Sequence, residues 1–111
     1  MPSYKAAIEH IKDARKGDYF EREFIFNTLN LNGKSAKCQV RNESGSAVLF
    51  EFSTANSRIV ISGTSLKLIC PSNEFTIDVG IYVFDIQVYT SVADVSTLIE
   101  GTFEVIDEIT V

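Results

Sequence analysis

From Asp18 onward, apolar side chains recur at every second position in short runs, and that period constrains the fold more than any other feature of the chain. A strand turns successive side chains to opposite faces, so a run with apolar residues two apart buries one face and wets the other. The longest run is Ile81 to Tyr89: Tyr82, Phe84, Ile86 and Val88 share one face, with Asp85 and Gln87 on the other. Phe20, Phe24 and Phe26 share a face that Arg22 interrupts, opposite Tyr19, Glu21, Glu23 and Ile25. Ala36, Cys38 and Val40 alternate with Lys37, Gln39 and Arg41, which makes a half-buried strand with a basic outer face. Val48, Phe50 and Phe52 alternate with Leu49 and Glu51; Leu66, Leu68 and Cys70 alternate with Lys67 and Ile69. Ile59 and Ile61 form a shorter run, and Ile99, Phe103 and Val105 oppose Glu100, Thr102 and Glu104 in the last.

Turn chemistry separates these runs. Asn30 to Lys34, Asn42 to Ser46, Ser62 to Ser65 and Ser91 to Ser96 are rich in Asn, Ser and Gly, and Pro71-Ser72-Asn73 opens a longer loop that ends at Gly80. About seven short strands at roughly ten-residue spacing predict an all-β domain, an immunoglobulin-like antiparallel β-sandwich. No intervening stretch is long and helical enough to carry parallel crossovers. With 111 residues the chain is one domain. A chain of this size buries roughly 65% of its unfolded surface, enough for a core without disulfides or metal. The start follows a different rhythm. Tyr4, Ala7, Ile8, Ile11 and Ala14 fall at helical spacing and Ser3 could cap a helix, but a short edge strand fits as well. The sequence therefore divides into an N-terminal arm, helix or edge strand over 1–16, and the sandwich over 17–111.

Charge narrows the partners. The net charge is −5, with nine Lys/Arg against seven Asp/Glu in residues 1–58 and Lys67 alone against eight acids thereafter. Nucleic acid is not expected as main partner, because phosphate neutralisation needs clustered Lys/Arg; only Lys12, Arg15 and Lys16 cluster, flanked by Asp13 and Asp18. No apolar run approaches ~18 residues, so no membrane-spanning helix is expected. Met-Pro-Ser-Tyr-Lys does not read as a secretory leader, so synthesis in a cytoplasm is expected, with Cys38 and Cys70 reduced.

Candidate chemistry is sparse, and the chain is expected not to be an enzyme. The single histidine, His10, lies between Glu9 and Ile11; a metal site would need carboxylates for every other ligand. Cys38 and Cys70 each sit on an apolar strand face, where free cysteines act as small hydrophobes. A bridge across the sandwich is the alternative, although the tryptophan that packs on such a bridge is absent. Asp85, Glu100, Glu104, Asp107 and Glu108 concentrate near the last two strands without a calcium-loop spacing, and read as a solvated acidic face. Lys16-Gly17-Asp18 matches an adhesion tripeptide by chance and turn chemistry, and Asn42-Glu43-Ser44 matches a glycosylation acceptor that carries no weight without a secretory signal. No catalytic, cofactor-binding or metal-binding residue is assigned.

Several stretches together resemble a family of small phage and prophage tail-associated proteins, similar to the immunoglobulin-like N-terminal domain of siphophage baseplate upper proteins. They are Lys16 to Phe20, Ala36 to Arg41, Leu49 to Thr54, Gly80 to Gln87 and Leu98 to Val105, with Thr110 beyond, and they span residues 11–111. The chain departs from that pattern in the Ser91–Ser96 turn and the Tyr4–Ile11 stretch. The resemblance implies a virion structural component of tail or baseplate, made in the bacterial host cytoplasm and working with other virion proteins in symmetric multiples, as a homo-oligomer among the options. Tyr4, Ile8 and Ile11 are the candidate partner contacts, on an apolar series the sandwich does not use. The alternative is a host-surface or carbohydrate-binding module, with Tyr19 and Tyr89 as stacking rings. Gly101, inside a strand, marks a bulge or a close backbone approach.

Overall fold

The computed structural model describes residues 7–91 and 93–107. Its described residues form eight strands: β1 (Ala7–Arg15), β2 (Phe20–Ile25), β3 (Ser35–Arg41), β4 (Val48–Ser53), β5 (Ile59–Ser62), β6 (Ser65–Cys70), β7 (Gly80–Tyr89) and β8 (Ser96–Ile106). They make a five-stranded sheet in the order β1-β8-β7-β3-β4 and a three-stranded sheet in the order β2-β6-β5. All pairings are antiparallel except β1 with β8, which is parallel.

This is an immunoglobulin-like sandwich, one strand richer than the periodicity predicts. In the lettering of that fold β2 to β8 correspond to B, C, C′, D, E, F and G. The first strand has left the B sheet and pairs with G. Connections that cross between the sheets, such as β4 to β5 and β6 to β7, give the Greek-key wiring. A tyrosine corner is present as well: Tyr82, at the start of the F-equivalent strand, donates its hydroxyl to the Asp78 carbonyl at 2.6 Å. Two residues further on, where antibody domains carry a bridging cysteine, stands Phe84, and phenylalanines fill the space between the sheets. The Phe20 ring lies 5.3 Å from Phe75, 5.4 Å from Phe103 and 5.7 Å from Phe52. Cys38 and Cys70 are both free and buried, and burial pushes both thiols up, Cys38 well above its usual range.

The alternation in the sequence holds along β3, β6 and β7, where every second residue is buried. Phe20, Phe24 and Phe26 are buried, and Arg22 reaches from the same face to Glu9 of β1, 3.6 Å away. Two bulges break the rhythm elsewhere. In β8 both Leu98 and Ile99 are buried, because the pairing steps from Ile86↔Ile99 to Gln87↔Thr97 and leaves Leu98 as an extra residue.

The second bulge decides the N-terminus. Ala7–Arg15 is a strand and not a helix, and it belongs to the sandwich instead of forming an arm outside it. Ile11 pairs with Phe103 and Ala14 with Val105, so three steps on β1 match two on β8. Lys12 and Asp13 form the bulge, and Ile11 and Ala14, three apart, both face the core. The apparent helical spacing is the spacing of a bulged strand. Gly101 admits this strand: a Cβ there would lie 1.6 Å from the Glu9 carbonyl oxygen. The close approach expected at that glycine is the approach of β1.

Loops also contribute to the core. Phe75 and Ile77, in the loop between β6 and β7, and Leu31, in the turn after β2, are buried. The backbone amide of Gly17 donates to the Phe75 carbonyl, and that of Leu31 to the Gly63 carbonyl. Arg58 fastens the β6–β7 loop from outside. It lies 4.7 Å over the Phe50 ring and 3.1 Å from the Glu74 carboxylate.

Candidate binding face

Reactive groups do not converge. Among the described residues no three His, Cys, Asp or Glu side chains gather in a metal-binding group. His10 lies at the edge of the five-stranded sheet, its Nδ1 2.7 Å from the Thr102 hydroxyl, with which it shares a hydrogen bond. Both thiols are buried and held protonated by desolvation, the opposite of what a nucleophilic cysteine needs.

The outer face of the five-stranded sheet is grooved. An open groove of about 390 Å³ runs across it, lined by Ile8 of β1, Gln39 and Arg41 of β3, Val83 and Asp85 of β7, and Thr102 of β8, among others. Pairing registers set the rows across this face. Gln39, Asp85 and Glu100 stand level on neighbouring strands, and Arg41, Val83 and Thr102 stand level one pair further on. The short Val83 side chain lies on the outer face between Arg41 and Thr102 of the neighbouring strands.

Charge on this face is ordered by strand. The outward residues of β3 include Lys37 and Arg41, and those of β8 include Glu100 and Glu104. Arg41 is anchored, donating to the Ser46 carbonyl at 2.9 Å and to Gln39 Oε1 at 2.7 Å. Gln39 in turn donates to Glu51 of β4 at 2.8 Å. Asp85 lies between the two charge rows. Partial burial pushes its carboxyl above the usual range, against the pull of Arg41 and Lys37, and its Oδ1 has no hydrogen-bond partner. It stands directly opposite Glu100, and like charges opposed across a ladder repel. Exposed apolar residues surround these charges: Ile81 is 69% exposed, Ile8 61%, Leu49 48% and Val48 41%.

The three partner contacts expected from sequence do not stay together. Tyr4 lies outside the described residues. Ile8 is exposed on the face just described, whereas Ile11 is wholly buried against the core and offers nothing to a partner. The rings of the carbohydrate alternative are also apart. Tyr19 precedes β2 of the three-stranded sheet and is bonded to Glu21, while Tyr89 ends β7 of the other sheet with Lys37 5.8 Å over its ring. Sequence reasoning missed Val83, Arg41 and Asp85 as parts of one surface. Their shared outward phase on β3 and β7 was readable, but the adjacency of β3, β7 and β8 was not.

No protein family matches the chain, and neither does any curated protein. Among solved structures, the extracellular domains 3-5 of Drosophila OTK are similar over 97% of this chain and 35% of that one, at 16% identity and a TM-score of 0.33. The chain thus spans about a third of that structure's length.

Proposed function

We propose that the protein is a non-enzymatic assembly module, a structural component of a bacteriophage or prophage virion, that docks on its neighbours through the outer face of its five-stranded sheet. The observation that supports docking is the groove across that face, with Ile8, Val83 and the exposed Ile81 beside the rows of Lys37/Arg41 and Glu100/Glu104. Apolar surface rimmed by ordered charge is the composition of contact surfaces, with the charge selecting partner and register. The virion setting comes from the resemblance of Lys16–Phe20, Ala36–Arg41, Leu49–Thr54, Gly80–Gln87 and Leu98–Val105 to tail-associated proteins. A glycan platform has less support, since Tyr19 and Tyr89 belong to different sheets.

Mass spectrometry of gradient-purified particles from the bacterium carrying the gene tests the setting: the chain is expected among the particle proteins, and its absence refutes the virion role. Incorporation of variants tests the face. Val83→Arg is expected to abolish incorporation while Val60→Lys, on the outer face of the three-stranded sheet, leaves it intact. Equal incorporation of both variants refutes the face.

A further inference from the structure

We infer that the partner seated on the outer face of the five-stranded sheet is a second copy of this chain, related by a two-fold axis that runs in the interface along β7. This rests on the preceding proposal that the face is a docking surface, and it names the occupant. The sheet order β1-β8-β7-β3-β4 is centred on β7. A half-turn about β7 lays β8 of one copy over β3 of the other, and β1 over β4. An isologous contact needs rows that complement their images under that rotation, and the charged rows of β3 and β8 do so.

The cationic row of β3 meets the anionic row of β8. Gln39 and Glu100 both stand level with Asp85. In the dimer Glu100 of one copy therefore falls over Gln39 of the other, between Lys37 and Arg41, which lie two residues to either side. The like-charge opposition of Asp85 and Glu100 within one chain then acquires two facing cations. At the margins Ile8 of β1, level with Glu100, Asp85, Gln39 and Glu51, falls over Glu51 of β4, while the exposed Val48, level with Arg41, Val83 and Thr102, falls over His10. Val83 and Ile81 of β7 meet their own images on the axis. Asp85 also lies on the axis, but its Oδ1 is wholly sunk in the surface with Lys37 and Arg41 of its own chain nearby, so it is recessed from its image. Rotation about an in-plane axis across the strands would set Lys37 against Arg41, so the charge pattern selects the axis along β7.

Five strands about 4.8 Å apart and some six residues long offer a plan area of roughly 500 Å². That is at the small end of specific interfaces, so the dimer is weak and is populated as concentration rises.

Sedimentation equilibrium on the purified chain, from about 5 µM to about 1 mM, spans the range in which such interfaces form. The wild type is expected to move from monomer toward dimer mass. Lys37→Glu and Glu100→Lys, each checked for an unchanged melting transition, are each expected to weaken association at least tenfold. Mixed in equal amounts, the two variants are expected to restore it, because every reversed charge then faces its opposite across the two-fold. A wild type that stays monomeric to the highest concentration overturns the inference. So does a dimer indifferent to both variants, or a mixture no better than its parts. The docking face itself is judged separately: if Val83→Arg blocks incorporation into particles while the wild type is monomeric, the face stands and its partner is another protein.

Discussion

Substituting alanine at Gly101 should detach the first strand. The Cβ it introduces would lie 1.6 Å from the carbonyl oxygen, 2.7 Å from the carbonyl carbon and 3.1 Å from the nitrogen of Glu9. All three are backbone atoms, so no side chain can swing aside. Restoring a separation of about 3.0 Å at the oxygen requires β1 to retreat by about 1.4 Å. A ladder N···O distance near 2.9 Å lengthened by that amount is no longer a hydrogen bond. Two or three of the parallel bonds on either side of Glu9 are lost, at about 1 kcal/mol each. The expected cost is therefore about 2–3 kcal/mol, a large fraction of the ~5–15 kcal/mol that holds such a domain. Urea denaturation measures the total, and hydrogen exchange locates it. Ala7 to Ile11 and their partners Ile99 to Phe103 should lose protection while the β2–β6 ladder keeps it. A loss below about 1 kcal/mol with β1 still protected would refute the reasoning, and would mean that the strand tilts around the new methyl group without giving up its pairing.

Three further outcomes follow from the packing. Phe103→Ala removes the ring that touches Phe20, Phe52, Phe75 and Phe84, and should cost about 3–5 kcal/mol in equilibrium denaturation. Thiol titration should find both cysteines in denatured, non-reduced protein and neither reacting quickly in the folded chain, because both are buried and burial raises both thiol pKa values. Asp85→Asn should stabilise the monomer at pH 7 by a few tenths to about 1 kcal/mol, allowing for the solvent that still screens this half-buried group. The sign follows from the raised folded-state pKa: relative to the unfolded chain, Asp85 favours folding below the ordinary Asp range and loses that contribution as pH rises through its raised value. The gap between variant and wild-type melting temperatures should therefore close as pH falls toward 4 (about the ordinary Asp value); a gap that is constant with pH would contradict it.

The sequence by itself determined the sheets' inner faces. Period two is local geometry, so Tyr82, Phe84, Ile86 and Val88, or Leu66, Leu68 and Cys70, declare their side of a strand without reference to any neighbour, and all are buried. The same locality explains why Cys38 was readable as a core residue and Gly101 as a place of close approach. What the tertiary structure decided lies wherever an extra residue or a distant partner sets the phase. Ile11 and Ala14 fall at a spacing that leaves helix and edge strand both open, because Lys12 and Asp13 bulge out of a ladder whose other strand is about ninety residues away in the chain. Phe75, Ile77 and Leu31 lie in loops outside any strand, and they are buried because those loops pack against the core that the distant strands build. The candidate face is the furthest from the sequence. Lys37 and Arg41, Asp85, and Glu100 come from three separate runs, and only the strand order β8-β7-β3 sets them side by side, because pairing between distant segments depends on the closure of the whole core and not on any one segment's pattern.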